Sequence, residues 1–114
     1  MDNIVKIEIE VNATELAKEV YQNFPEYAIS LVCTKYKYDD FQFSFYDPED
    51  DKSYNVDLEK ASKGVAKLIK EWHNRKCFFS GIDSLDDLKD PCNWDAVVVD
   101  SALQYAIFNE LVYG

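Results

Sequence analysis

FQFSFYDPEDDKSYNVDLEKASKGVAKLIKEW, Phe41 to Trp72, holds a strand, a turn, a returning strand and a helix in unbroken order. Phe41, Phe43 and Phe45 alternate with Gln42, Ser44 and Tyr46, the period-two pattern of a strand with one face buried. Asp47, Pro48, Glu49, Asp50, Asp51 and Lys52 make a polar turn, and Ser53 to Val56 returns, so the pair reads as a hairpin. Asp57 then stands where a side-chain acceptor caps a helix. Leu58, Ala61, Val65, Leu68 and Trp72 recur at three- and four-residue steps and form one apolar stripe, which predicts a helix over Asp57–His73. Gly64 lies inside that helix, where glycine costs about 1 kcal/mol against alanine. A close-packed neighbour is the expected reason for it.

Upstream of this stretch, Val5, Ile7, Ile9 and Val11 alternate with Lys6, Glu8 and Glu10, a half-buried strand over Ile4–Val11. Asn12, three residues before Glu15, suits an N-cap, and Ala13, Leu16, Ala17, Val20 and Phe24 follow at helical spacing until Pro25. Tyr27 to Thr34 has the β-branched and aromatic content of a strand, with a short helix as the alternative. Downstream, Asn74 to Asn93 is irregular, with a helical turn after Ser84. A last helix is expected from about Asp95 to Val112, apolar around much of its circumference and therefore central to the core or part of an interface. The chain is expected to form one α+β domain over residues 1–114: an antiparallel sheet of three or four strands, with helices at Asn12–Phe24, Asp57–His73 and Asp95–Val112 packed mainly on one face.

With 114 residues, 47% hydrophobic and 15% aromatic, the chain can fill one core. Acids outnumber bases 22 to 12, a formal net charge of -10. Such a surface repels nucleic acid and anionic membranes at long range and favours basic partners. Cys33, Cys77 and Cys92 are odd in number and widely spaced, so a disulfide framework is not expected and a reducing cytoplasm is the natural setting. Neither a signal peptide nor an apolar run of membrane-spanning length is legible.

The charge is unevenly spread. Lys60 to Lys76 holds six basic side chains against the single acid Glu71, about +5 locally, which leaves about -15 for the rest. Lys60, Lys63, Lys67 and Lys70 share one helix face opposite the apolar stripe, a basic stripe suited to an acidic partner or phosphate, or a solvated face neutralised by nearby acids. Acids gather at Asp39, Asp40, Asp47, Glu49, Asp50, Asp51, Asp57 and Glu59, and again at Asp83, Asp86, Asp87, Asp90, Asp95 and Asp100. Displayed carboxylates can occupy a basic groove on another protein, whereas Asp57, Asp95 and the Asp47–Asp51 turn also fit helix caps and a turn. Asp47, Glu49 and Asp51 have calcium-loop spacing, but Lys52 replaces the turn glycine and Leu58 the bidentate glutamate, so no metal is expected. His73 with Cys77 lacks the paired spacing of zinc ligands, and Cys77 beside Phe78 and Phe79 reads as packing. Three glycines supply no phosphate loop, so no cofactor is expected. Aromatic residues crowd the hairpin, and its Tyr46/Tyr54 side is expected to stay partly exposed.

FYDPEDDKSYNVDLEKASKGVAKL (Phe45 to Leu68) and WDAVVVDSALQYAIFNELVYG (Trp94 to Gly114) resemble segments of small uncharacterised acidic proteins of bacteriophages and prophages. The ending is the most specific part: Asp100, then Leu103-Gln104, Phe108 and Val112-Tyr113-Gly114. The resemblance implies an accessory protein of the bacterial cytoplasm and transfers no catalytic residue. The expected function is non-catalytic binding of a protein with a basic surface, with inhibition of a host defence or nucleic-acid-handling protein as its context. Asp39, Asp40, Asp47, Glu49, Asp50 and Asp51 would supply charge, and Tyr46 and Tyr54 would supply area. No direct contact with nucleic acid or membrane is expected. The alternatives are a self-associating phage protein, a homodimer through the C-terminal helix, and a small-molecule binder with a pocket near His73.

Overall fold

The computed structural model describes residues 12–20, 28–37 and 39–113. In chain order these form α1 (Ala13–Val20), β1 (Val32–Lys37), β2 (Gln42–Asp47), β3 (Lys52–Val56), α2 (Leu58–His73), α3 (Leu85–Lys89), a 3-10 turn (Pro91–Asn93) and α4 (Ala96–Phe108). The fold is α+β, with a three-stranded antiparallel sheet in the order β1-β2-β3. The expected strand Ile4–Val11 lies outside the described residues, as do Tyr21–Phe24 of the first predicted helix and Tyr27.

The hairpin forms as its alternation dictates. Phe43 pairs with Val56 and Phe45 with Tyr54, and Phe43, Phe45 and Val56 are buried while Gln42, Ser53 and Asn55 face solvent. Directly opposed residues point to one face of a sheet. Tyr54 therefore shares the core face with Phe45, whereas Tyr46, opposite Ser53 and Val32, lies on the other. The expected common Tyr46/Tyr54 side does not exist, because an odd sequence offset across this register separates the two rings. The second strand also starts later than its composition suggested, at Val32, and a bulge between Cys33 and Lys35 interrupts its pairing.

The helices begin where the side-chain caps stand. Asp57 Oδ1 accepts from Lys60 N–H at 2.8 Å, Asp95 Oδ1 from Val98 N–H at 3.0 Å, and Asn12 Oδ1 from Glu15 N–H at 3.1 Å. Ser84 and Asp87 form a reciprocal capping box on α3. α2 lies between α1 and α4 and buries Ala61, Gly64, Val65, Leu68 and Ile69. A Cβ on Gly64 would stand 2.6 Å from the Ala102 carbonyl oxygen and 2.7 Å from Ala106 Cβ, so the glycine is what lets α2 and α4 touch. α4 is central: every residue from Val98 to Tyr105 is buried. It ends at Phe108, four residues short of the expected Val112, because Asn109 takes a left-handed conformation with φ 61° and closes the helix onto the Tyr105 carbonyl.

Candidate functional site

The expected acidic surface divides into three environments. Asp39 and Asp40 are exposed in the turn between β1 and β2, and Glu49, Asp50 and Asp51 are exposed in the turn between β2 and β3. The six residues of β2 separate the two turns by about 20 Å at the usual rise of a strand. The two groups therefore do not make one patch. Asp47, expected with them, is wholly buried. Its side chain follows Phe43 and Phe45 onto the core face, where Oδ1 accepts from Glu49 N–H at 3.0 Å and Oδ2 from the Tyr113 hydroxyl at 2.7 Å. It shapes the turn from below and is removed from any binding surface.

The tip above Asp47 is strongly negative. Asp51, at φ 54°, closes the turn, and its Oδ1 accepts the Tyr46 hydroxyl at 2.6 Å. That bond to a carboxylate, more than burial or nearby charge, raises the Tyr46 phenol above its ordinary range. The Tyr113 phenol is raised as well, first by its bond to Asp47, then by burial, then by the charges of Asp47, Asp50 and Glu49. Among the described residues, Asp39, Asp40, Glu49, Asp50 and Asp51 enter no ion pair.

The lysine stripe behaves differently along its length. Lys60 donates to the Asn55 carbonyl at 3.3 Å, Lys63 pairs with Glu59 at 3.3 Å and Lys67 with Glu71 at 3.2 Å. These contacts hold three of the four cations along their own helix or the strand before it. Of these four lysines, Lys70, near the helix end, is the one that is exposed and enters no ion pair among the described residues.

The third environment belongs to the ending of the chain. Asp100 sits on a buried turn of α4, with Oδ1 accepting from Ile29 N–H at 2.9 Å and Ser30 N–H at 3.0 Å and Oδ2 from the Ser30 hydroxyl at 2.7 Å. One turn on, Gln104 Oε1 accepts from Val112 N–H at 2.9 Å and Tyr113 N–H at 2.8 Å. Its Nε2 donates to Asp100 Oδ2 and to the Tyr113 carbonyl, both at 3.0 Å. Phe108 meets Tyr54 and Tyr113 edge-on. Asp100, Gln104, Phe108, Val112 and Tyr113, read in the sequence as a signature, are thus one clasp joining α4, the 28–30 segment, the chain end and the hairpin. Among the described residues no buried side-chain polar atom lacks a partner. Asp100 was counted with the displayed acids. The signal against that was its place four residues before Gln104 on a helix otherwise apolar all round.

Cys77, read in the sequence as a packing residue, is buried with Phe79, while Phe78 between them is 77% exposed. Burial raises the Cys77 thiol, only partly offset by its hydrogen bond with Tyr105, which keeps it from acting as a thiolate at neutral pH. His73 instead lines a separate cleft at the end of α2. Among the described residues no group of three metal-ligating side chains converges, and no helix is long and apolar enough to cross a membrane. No family model, curated protein or solved structure matches the chain.

Proposed function

We propose that this protein is a non-catalytic binding module that uses the β2–β3 tip, Glu49, Asp50 and Asp51 with Tyr46 beside them, to engage a basic surface on a protein partner. The carrying observation is the contrast in ion pairing. Glu15, Glu59, Glu71 and Asp86 on the helices are each matched to a lysine three or four residues away, whereas the three tip acids stand side by side, exposed and unmatched. Unmatched carboxylates on the four-residue tip between β2 and β3 keep their full field for a partner and accelerate its capture. Tyr46, held by Asp51 on the open face of the sheet, offers aromatic area beside the charge. The phage-like character of the sequence suggests an accessory role in a bacterial host, with a defence or nucleic-acid-handling protein as the target class. Asp39 and Asp40 serve a second, separate contact only for a partner long enough to span β2.

The test is affinity capture from bacterial lysate at low and high salt, with the wild type beside the Glu49→Gln/Asp50→Asn/Asp51→Asn variant. A nucleic-acid-handling protein held by the wild type at low salt, released at high salt and lost by the variant supports the reading. Equal retention by the variant removes the tip from it. A second reading, self-association, rests on Ile29, Val97, Leu111 and Val112, exposed apolar residues at the margin of the clasp. Sedimentation of the isolated protein over a wide concentration range decides it, and a monomer throughout rejects it.

A further inference from the structure

The segment after α4 is held mainly by polar contacts. Asn109 to Val112 are exposed and Tyr113 is half-buried, with Leu111 and Val112 at 39% and 48% exposure, so apolar burial does little to keep it in place. Gln104 accepts from the Val112 and Tyr113 amides and donates to the Tyr113 carbonyl, and the Tyr113 hydroxyl donates to Asp47. Phe108 adds one edge-on ring contact. The seat belongs to other elements: Asp47 ends β2, and Gln104 stands on α4 with its amide also anchored to Asp100. Three of the four hydrogen bonds read backbone groups, which any extended peptide offers, and the fourth reads a phenol. The seat is thus selective for an extended segment bearing a tyrosine, and indifferent to most of the sequence around it.

Charge distinguishes the possible occupants. Beyond Asp47, the charges of Asp50 and Glu49 also reach the Tyr113 phenol. The resident segment brings Glu110, three residues or about 10 Å of extended chain away, and no cation. A second copy would bring the same glutamate and a net charge of -10. A segment with lysine or arginine at that place gains what the resident one lacks. We infer that residues 109–113 are a displaceable strap, and that a tyrosine-bearing segment of a basic protein partner takes the same seat, its backbone on Gln104 and its phenol on Asp47. The strap turns on Asn109, exposed and at φ 61°, a conformation that asparagine accepts. A resident strap lowers a competitor's apparent affinity by the fraction of molecules whose seat is open, so it is autoinhibitory. The basic character of the partner rests on the reading of the hairpin tip; the seat and the strap do not.

The experiment is a fluorescence-anisotropy titration of the full chain with labelled, capped peptides of residues 109–113. One carries Glu110→Lys, a second carries Glu110→Lys with Tyr113→Phe, and a third is unaltered. In the protein, Tyr113→Ala loosens the strap and leaves the seat, whereas Gln104→Leu loosens the strap and removes the seat. Tyr113→Ala is expected to bind the lysine peptide at least tenfold more tightly than the wild type, a gain that misfolding does not produce. Gln104→Leu should bind it at least tenfold more weakly than Tyr113→Ala, and loss of the peptide hydroxyl should weaken binding severalfold. Equal affinity of Tyr113→Ala and wild type, binding retained by Gln104→Leu, or indifference to the hydroxyl overturns the proposal. So does concentration-dependent dimerisation that excess peptide reverses, because the occupant is then a second copy. Failure of the tip reading looks different: the lysine and unaltered peptides bind equally, which overturns the basic character of the partner while the hydroxyl preference and the Tyr113→Ala gain persist.

Discussion

Asp47 and Glu49 lie two residues apart, yet one is sealed in the core and the other stands in solvent. The same division separates Asp100, gripped by two backbone amides and two side chains, from Asp50 and Asp51 at the tip. Both sets carry the same chemical group, and what differs is whether donors converge on it. A buried carboxylate is tolerable only when its lone pairs are filled: Ile29, Ser30 and Gln104 donate to Asp100, and the Glu49 amide and the Tyr113 hydroxyl donate to Asp47. At the tip the side-chain donor is the exposed Tyr46 hydroxyl on Asp51, and water solvates the rest, so those acids add little to folding and remain available to a partner. An acid's contribution here follows from its donors, not from its neighbours in sequence.

That contrast breaks first at the clasp. Asp100→Ala strips the acceptor from the Ile29 and Ser30 amides and is expected to cost roughly 3 kcal/mol in urea unfolding. Asp100→Asn, which keeps the shape and one acceptor, should cost less. Gln104→Leu follows at about 2 kcal/mol, because the amides it abandons can reach water when the chain end lifts. Its distinguishing sign is faster hydrogen exchange at Val112 and Tyr113 with the sheet amides unchanged. Loss of protection spread evenly over the molecule would instead make the clasp an ordinary part of the core.

The hairpin, the three long helices and the reason for Gly64 were legible because each rests on a local pattern: alternation, a cap, a stripe, one missing Cβ. What was not legible depends on partners far apart in sequence. Asp47 and Tyr113 are 66 residues apart, and Ser30 and Gln104 are 74 apart. Nothing near Asp47 announces a phenol arriving from the chain end, so it reads as one more turn acid. Tyr46 and Tyr54 were placed together because composition does not reveal register, and one residue of offset changes the face. The end of α4 was overrun because Leu111 and Val112 continue an apolar pattern that Asn109 interrupts by backbone conformation alone. Of the acids, those of the tip were read as exposed and are exposed, while Asp47 and Asp100 were placed on the wrong side of the surface.

Tyr113→Phe sharpens the comparison through pH, since it removes the proton that joins the clasp to the acid beneath the tip. The phenol is raised in the folded protein by its bond to Asp47, with burial and the charges of Asp47, Asp50 and Glu49 acting in the same direction. Folding therefore favours the protonated phenol. Its contribution is whole below the ordinary tyrosine range near pH 10 and declines as pH rises beyond it. The wild type should lose stability above about pH 10 more steeply than Tyr113→Phe, the two curves converging as pH rises. Tyr105, raised chiefly by burial, titrates in both proteins and cancels in the difference. Parallel curves would show that Tyr113 and Asp47 are not coupled.

The smallest expected effect is the most informative about function. Glu49→Gln/Asp50→Asn/Asp51→Asn neutralises the tip while Asp47 and its two donors stay in place. No ion pair is lost among the described residues, and mutual repulsion of three neighbouring carboxylates is relieved. The unfolding free energy should move by no more than about 0.5 kcal/mol, toward greater stability at low salt and toward no change at high salt as screening removes the repulsion. A clear loss of stability would mean that these carboxylates hold the turn together and belong with Asp47. A stability gain that salt erases would mean that the protein maintains a mildly unfavourable charge cluster at an exposed tip, which folding does not require and a basic partner would relieve.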